Sequence, residues 1–303
     1  MSMKLRKPEF VVIGAQKAAS TFVQVSLNAH PEIHMPSGET PIFEDEHYGM
    51  AGLQSLYESL SAAGPRQKVG IKRPDYLLDP RVPERMRREL GTIPTVAVLR
   101  DPVVRAVSAY WHYVRDRFLP SMPMARGMRL ILAGDEEFMR HWPRAEEILR
   151  YGLYSDGLSR FQVAGFNTHL LTMDQIKRDS AEALRSLYAY LGVDASFVPD
   201  LGKRVPQRVY YHRLPRSLAR VQSLVQYEYA EDRRRLWSTS SRFRRLGGVG
   251  LGALASGVAD LVDNRPPDLD EELHEQLRSY YASDVSKLRA EFGVQESWTV
   301  GFN

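Results

Sequence analysis

Two stretches of this 303-residue chain carry residue types at spacings suited to holding anions. Lys17, Ser20 and Thr21 lie in "GAQKAAST", residues 14–21, after the apolar run 10–13 and ahead of the helix-like "FVQVSLNAH". A strand that turns tightly into a helix aims backbone N–H groups and the positive end of the helix dipole at one spot, which suits a phosphate. Lys17 adds a full charge there. Ser20 and Thr21 add hydroxyl donors, or serve simply to cap the helix. The loop departs from a nucleoside-triphosphate P-loop, which needs a second glycine and a lysine directly before the Ser/Thr. Here the lysine comes three residues before Ser20 and no second glycine follows.

The second stretch is "VAVLRDPVVRAVSAYWH", where Arg100 ends a strand and Ser108 lies two turns into the next helix. An arginine fork and a serine hydroxyl can share a second phosphate. In the plainer reading Arg100 pairs with Asp101 or Asp116 on the surface, and Ser108 fills a helix face.

The elements that must position these residues follow from hydrophobic patterning. Short apolar runs alternate with helical patterns: "EFVVIGA" then 21–29, "KVGIK" then 81–90, "PTVAVLR" then 102–118, and "THLLTM" then 174–191. This predicts an α/β fold with a parallel sheet between helical layers. The continuous Val/Ile/Leu character of the strands fits a sheet covered on both faces. Helix 102–118 sets Val103, Val104, Val107, Trp111, Val114 and Phe118 on one side as core. The pattern "LHEQLRSYYASDVSKLRAEFG" predicts an amphipathic helix ending at Gly293, with Asp268 or Asp270 as its cap after Pro266 and Pro267. A single domain over 1–303 is expected, with 233–267 as a helical lid or insertion.

Composition narrows the classes. The chain is 43% hydrophobic and 26% charged, ordinary for a globular protein. With no cysteine, a disulfide framework, a thiolate metal site and a cysteine nucleophile are all excluded. A net charge of +4 is too small for a dedicated nucleic-acid binder, and a few local cations around an anionic ligand account for it equally well. The start "MSMKLRKPEF" has no apolar segment of a secretory signal behind it. The Gly/Ala-rich stretch 246–262 includes Asp260 and falls short of a membrane span. It is expected to be a buried or lid-like helical connection, or, with the preceding "RFRR", a peripheral membrane contact.

Four segments together carry a family resemblance: "VVIGAQKAASTFVQVSLNAHPEIHMPSGETPIFE", "GIKRPDY", "LRDPVVRAVSAYWHY" and "LRSYYASDVSKLRAEFG....W". In order and spacing they resemble the PAPS-dependent sulfotransferases, in particular the heparan sulfate sulfotransferase-like branch and its bacterial relatives. The resemblance covers nearly the whole chain. It implies a P-loop-like three-layer α/β/α fold that binds 3′-phosphoadenosine 5′-phosphosulfate (PAPS) and releases PAP without a metal. Gln16, Lys17, Ala18, Ala19, Ser20 and Thr21 then form the 5′-phosphosulfate loop, and Arg100 and Ser108 the 3′-phosphate pair.

The same resemblance implies Glu39, in "SGETPIF", as the base for the acceptor and Lys72 as a lysine lying against the transferring sulfonate. Without it, Lys72 reads as a solvated charge at a strand end. His34, His47 and Asp45 are rival bases, and Lys203 and Arg204 are late basic residues of the kind that contact the nucleotide in relatives. The chain departs from the pattern at Ala18 and Ala19, where the family often has glycine or threonine. It departs again at Gly38, where a lysine is usual, and at Ile42, where an aromatic is usual. The expected reaction is transfer to a hydroxyl, or less readily an amine, of a carbohydrate, lipid or secondary metabolite. The alternatives are a P-loop small-molecule kinase and a non-catalytic carbohydrate- or lipid-binding protein. Location is expected to be cytoplasmic and bacterial, while acceptor identity and oligomeric state are left open.

Overall fold

In the computed structural model, residues 5–45, 47–200, 210–229, 236–263, 269–296 and 298 are described. The chain divides into two compact units, one of Met1–Asp101, Leu153–Pro206 and Asp284–Asn303, the other of Pro102–Gly152 and Gln207–Ser283.

The first unit is built on a parallel sheet. Strands β1 (Phe10–Gly14), β2 (Ile33–His34), β3 (Lys68–Lys72), β4 (Thr95–Leu99) and β5 (Thr168–Thr172) lie in the order β2-β3-β1-β4-β5. Every residue of β1 and β4 is buried, as strands covered on both faces require. In register, β1 pairs Val12 with Lys72 of β3 and with Val96 of β4, so β3 ends beside the middle of β1. On one face, Phe10, Val12, Val96 and Val98 pack with Val23 and Leu27 of α1 (Ser20–Ala29) and with Leu184, Leu187 and Leu191 further along the chain. α2 (Met50–Leu60) and α3 (Val82–Leu90) follow β2 and the 3-10 turn Pro74–Leu77 that ends β3. This is the expected α/β arrangement of helices around a parallel sheet.

The second unit is helical. It holds α4 (Pro102–Arg115), α5 (Met124–Leu132), α6 (Glu136–His141) and α7 (Glu147–Arg150). Returning to the first unit, the chain forms α8 (Tyr154–Val163), α9 (Met173–Arg178) and α10 (Ser180–Leu191). The second unit resumes with α11 (Arg213–Gln226), the antiparallel pair β6 (Tyr227–Tyr229) and β7 (Leu236–Ser238), and α12 (Arg242–Leu261). Helix α13 (Glu271–Phe292) continues through Ser283 into the last segment of the first unit.

Several expectations change in detail. The helix expected over 174–191 is two helices, because Asp179 is extended and its carboxylate accepts from Glu182 N at 3.0 Å, capping a new start. The helix over 102–118 ends at Arg115, and Arg117 turns the chain at φ 67°. Within α4, Val104 is only half-buried, while Arg105 is wholly buried and donates to the carbonyl of Ile148. The stretch 246–262 is helical from Arg242 onward, but much of its apolar surface is exposed rather than buried. Asp270 caps α13 by accepting from Leu273 N at 2.9 Å, whereas Pro266, Pro267 and Asp268 lie outside the described residues. Gly293, at φ 66°, closes α13 as expected.

Helix α8 has no cap of its own; Asp284 supplies one from far along the chain. Its buried carboxylate accepts from Tyr154 N at 2.9 Å, Ser155 N at 3.0 Å and Ser155 Oγ at 2.5 Å. Burial pushes the Asp284 carboxyl up from the ordinary aspartate value, and these bonds oppose that rise. Asp284→Ala, measured by urea unfolding, is expected to cost about 3 kcal/mol because buried donors lose a charged acceptor. Asp284→Asn keeps one acceptor oxygen and costs less. Equal stability of Asp284→Ala and the parent chain would mean that the carboxylate is not the cap.

Candidate active site

The loop after β1 has little room and an unusual backbone. At Gly14, a Cβ would come within 2.8 Å of Leu77 Cβ, so β1 must end on a glycine to pass under the 3-10 turn. Ala15 N donates to Val98 O at 2.8 Å, tying the loop to β4. Lys17 and Ala19 then take left-handed backbone angles, φ 63° and 71°. That region disfavours any residue with a Cβ by roughly 1–2 kcal/mol. Glycine would sit there without strain. Ala18 is wholly buried, so nothing larger fits there. Ala19 is the N-cap of α1 and makes no side-chain cap, leaving the first-turn N–H groups of α1 directed at the loop. Ser20 is 5% exposed, and neither it nor Thr21 occupies the N-cap position.

Arg100, at the end of β4, turns toward this loop. Its Nη1 donates to the carbonyl of Lys17 at 3.1 Å, and its own carbonyl accepts from Tyr154 Oη at 2.9 Å. Among the described residues, Arg100 Nε is buried with no hydrogen-bond partner. Asp116, the surface partner considered for it, instead holds Arg115 at 2.6 Å.

A second cluster forms where β3 ends. Lys72 is 3% exposed, so it is not a solvated strand-end charge. Its Nζ lies 3.5 Å from Glu39 Oε1 and 3.4 Å from Thr21 Oγ1. Burial holds the Lys72 ammonium below the ordinary lysine value, and Glu39 offsets only part of that. Glu39 also accepts from Arg73 Nη1 at 2.5 Å, and Arg73 binds Glu44 and, at 3.0 Å, Asp75. Burial works against the Arg73 charge, yet Asp75, Glu44 and Glu39 outweigh it and raise its pKa. The loop carrying Glu39 is fixed from α1, where Gln24 Nε2 donates to Pro36 O at 2.9 Å and Gly38 O at 2.8 Å. Thr40 N donates to Lys72 O at 2.9 Å, which joins the same loop to β3.

Gln24 and Arg73 were not anticipated from sequence. A glutamine one turn behind Ser20 and Thr21, and a second cation directly after Lys72, were the signals available. Gly38, at φ 87°, occupies a backbone conformation that a lysine would adopt only with strain. Arg73 provides a cation next to Glu39. Ile42 is buried, and Phe43 packs edge-on to Tyr76, whose hydroxyl is bonded to Thr40 O.

Thus Thr21, Glu39 and Lys72 meet, and Arg100 meets the Lys17 loop, with Gln16 Nε2 reaching Asp75 Oδ1 at 3.4 Å. Ser108 belongs to the second unit, on α4, where it is 2% exposed. Of the rival bases, Asp45 is held by Arg81 and by Arg85 at 2.6 Å, and His34 is half-buried on β2. His47 is likewise half-buried. Lys203 and Arg204 lie outside the described residues.

No protein-family model matches the chain. It is 31% identical over 104 residues to human heparan sulfate glucosamine 3-O-sulfotransferase 5, a match covering 34% of this chain and 30% of that protein. It is 29% identical over 105 residues to the membrane-associated sulfotransferase kil1 of Dictyostelium discoideum, covering 34% of this chain and 22% of that one. The chain therefore spans less than a third of the length of these relatives. The crystal structure of a sulfotransferase from Alicyclobacillus acidocaldarius superposes with a TM-score of 0.66 at 21% identity, covering 97% of this chain and 99% of that one. That likeness is one of fold. A third of the sequence is thus similar to proteins named as sulfotransferases, and the fold is that of a solved sulfotransferase.

Proposed function

We propose that the protein transfers a sulfuryl group from PAPS to a hydroxyl of a carbohydrate, lipid or secondary-metabolite acceptor, releasing PAP. The observation that carries this reading is the meeting of Lys72, Glu39 and Thr21 at the uncapped first turn of α1. The residues present fit such a donor. Gln16, Lys17, Ala18, Ala19, Ser20 and Thr21 offer backbone N–H groups, hydroxyls and an ammonium to a phosphosulfate, and Arg100 has a buried Nε able to serve an anion. Ser108 keeps the assignment to the 3′-phosphate that the resemblance gives it.

PAPS, when bound, supplies a sulfuryl group carried on a phosphate leaving group. The chain's own residues then position the reactants and compensate charge, by the logic of phosphoryl transfer. Lys17 stabilises negative charge building on the bridging oxygen. Lys72 would lie against the sulfonate and supply a positive charge to it. Glu39 takes the acceptor's proton, held in orientation by Lys72 and Arg73. The similarity to proteins named as heparan sulfate glucosamine 3-O-sulfotransferases favours a sugar hydroxyl as acceptor. A kinase would need a magnesium-binding carboxylate at the end of β4, where this chain has Arg100.

Thermal unfolding in the presence of PAP, PAPS, AMP and ATP with magnesium tests the donor. Stabilisation of about 2.7 kcal/mol is expected at a hundredfold excess of PAP or PAPS over its Kd, with little shift from AMP or ATP. A shift with ATP and magnesium alone would support a kinase instead. Glu39→Gln is expected to lower kcat by about 10²–10⁴-fold while PAP binding is retained; normal turnover would remove Glu39 from the base role. Because the Lys72 pKa is lowered from 10.5, its charge is lost on raising the pH earlier than in an ordinary lysine. The alkaline limb of kcat should therefore fall below 10.5 and move upward in Lys72→Arg. A limb unmoved in that variant would assign it to another group.

A further inference from the structure

Helix α12 hides its small residues and shows its large ones. Gly248, Ala255 and Ala259 form its buried stripe, and Gly248 and Gly252 lie against Gln226 and Gln222 of α11. On the opposite side Phe243, Leu246, Val249, Leu254 and Leu261 recur at helical spacing, Phe243 at 89% and Leu261 at 85% exposure. Scattered exposed apolar residues are ordinary, but a continuous stripe of them marks a contact surface. Stability within the chain would favour the reverse arrangement, with Leu and Phe inward and Gly and Ala outward.

The charge on the helix indicates what that surface meets. The first turn holds Arg242, Arg244 and Arg245 and no acidic residue, at the end where the helix dipole is already positive. Arg244 pairs with Glu228, while Arg242 and Arg245 are exposed. Asp260, at the far end, is the one acidic residue of α12. Three cations at a positive helix end are unfavourable in isolation and become favourable against a negatively charged surface. An apolar face beside a cationic collar is the pattern of a helix that lies in a lipid interface, where anionic headgroups attract basic side chains. Among the described residues no helix is long and apolar enough to cross a membrane, so the contact is a surface one.

We propose that α12 is an interfacial helix that lays Phe243, Leu246, Leu254 and Leu261 into the headgroup region of an anionic lipid surface, with Arg242 and Arg245 on lipid phosphates. The inference does not rest on the proposed activity. The full chain would be floated with vesicles of phosphatidylglycerol mixed into phosphatidylcholine and with vesicles of phosphatidylcholine alone, at low and high salt. Partition onto the anionic vesicles should be about tenfold higher and fall as salt rises. The double variants Phe243→Ser/Leu246→Ser and Arg242→Glu/Arg245→Glu should each lower it about tenfold, with unchanged circular dichroism and melting. All four side chains are exposed, and glutamate near this helix start suits the dipole, so folding is not at risk. Equal partition onto both vesicle types, or binding indifferent to both variants, would overturn the proposal. It would equally be overturned by a dimer in sedimentation equilibrium that Phe243→Ser/Leu246→Ser makes monomeric, together with no vesicle binding, since a second copy would then be the occupant.

Discussion

A nearly buried ammonium governs the arrangement around the candidate site. Lys72 is 3% exposed at the end of β3, and a charge removed from water to that degree needs compensation within reach. Glu39 and Thr21 provide it, and each comes from a different element. The compensation works only if the Glu39 loop is held against β3 and if α1 starts where it does. Gln24, Thr40 and the pairing of β1 with β3 meet those conditions. The burial that makes Lys72 costly to charge also lets its field act with little screening by water.

Much of the fold could be read from sequence because the central strands are monotonous. Residues 10–14 and 96–99 are apolar at consecutive positions, which has few explanations other than a doubly covered parallel sheet. Strand β2, of two residues, carries no such pattern. The break between α9 and α10 depended on whether Asp179 would stay in a helix or cap one, and a single side-chain hydrogen bond decides that. Arg105 illustrates a different limit: its charge argued for the surface, while the packing of α4 enclosed it.

The candidate site was legible as a set of residues and much less as a set of contacts. Lys17 and Arg100 stood out by type and spacing, Glu39 and Lys72 only through the resemblance. That Glu39 is shared between Lys72 and Arg73, and that Arg100 reaches the Lys17 carbonyl, depends on strand register and loop course, neither of which has a local signature. Gly38 answers the backbone, and Arg73 answers the carboxylate.

The cap that Asp284 places on α8 has a consequence for biosynthesis. Tyr154 and Asp284 are 130 residues apart, and Trp298 Nε1 bonds to Asp174 across 124. At ribosomal speeds of 5–20 residues per second, roughly 6–26 s separate the emergence of the α8 start from that of its cap. For most of that interval all five strands of the sheet have been made, yet α8 is open at one end. The first unit therefore closes only after the helical unit encoded within it has been synthesised.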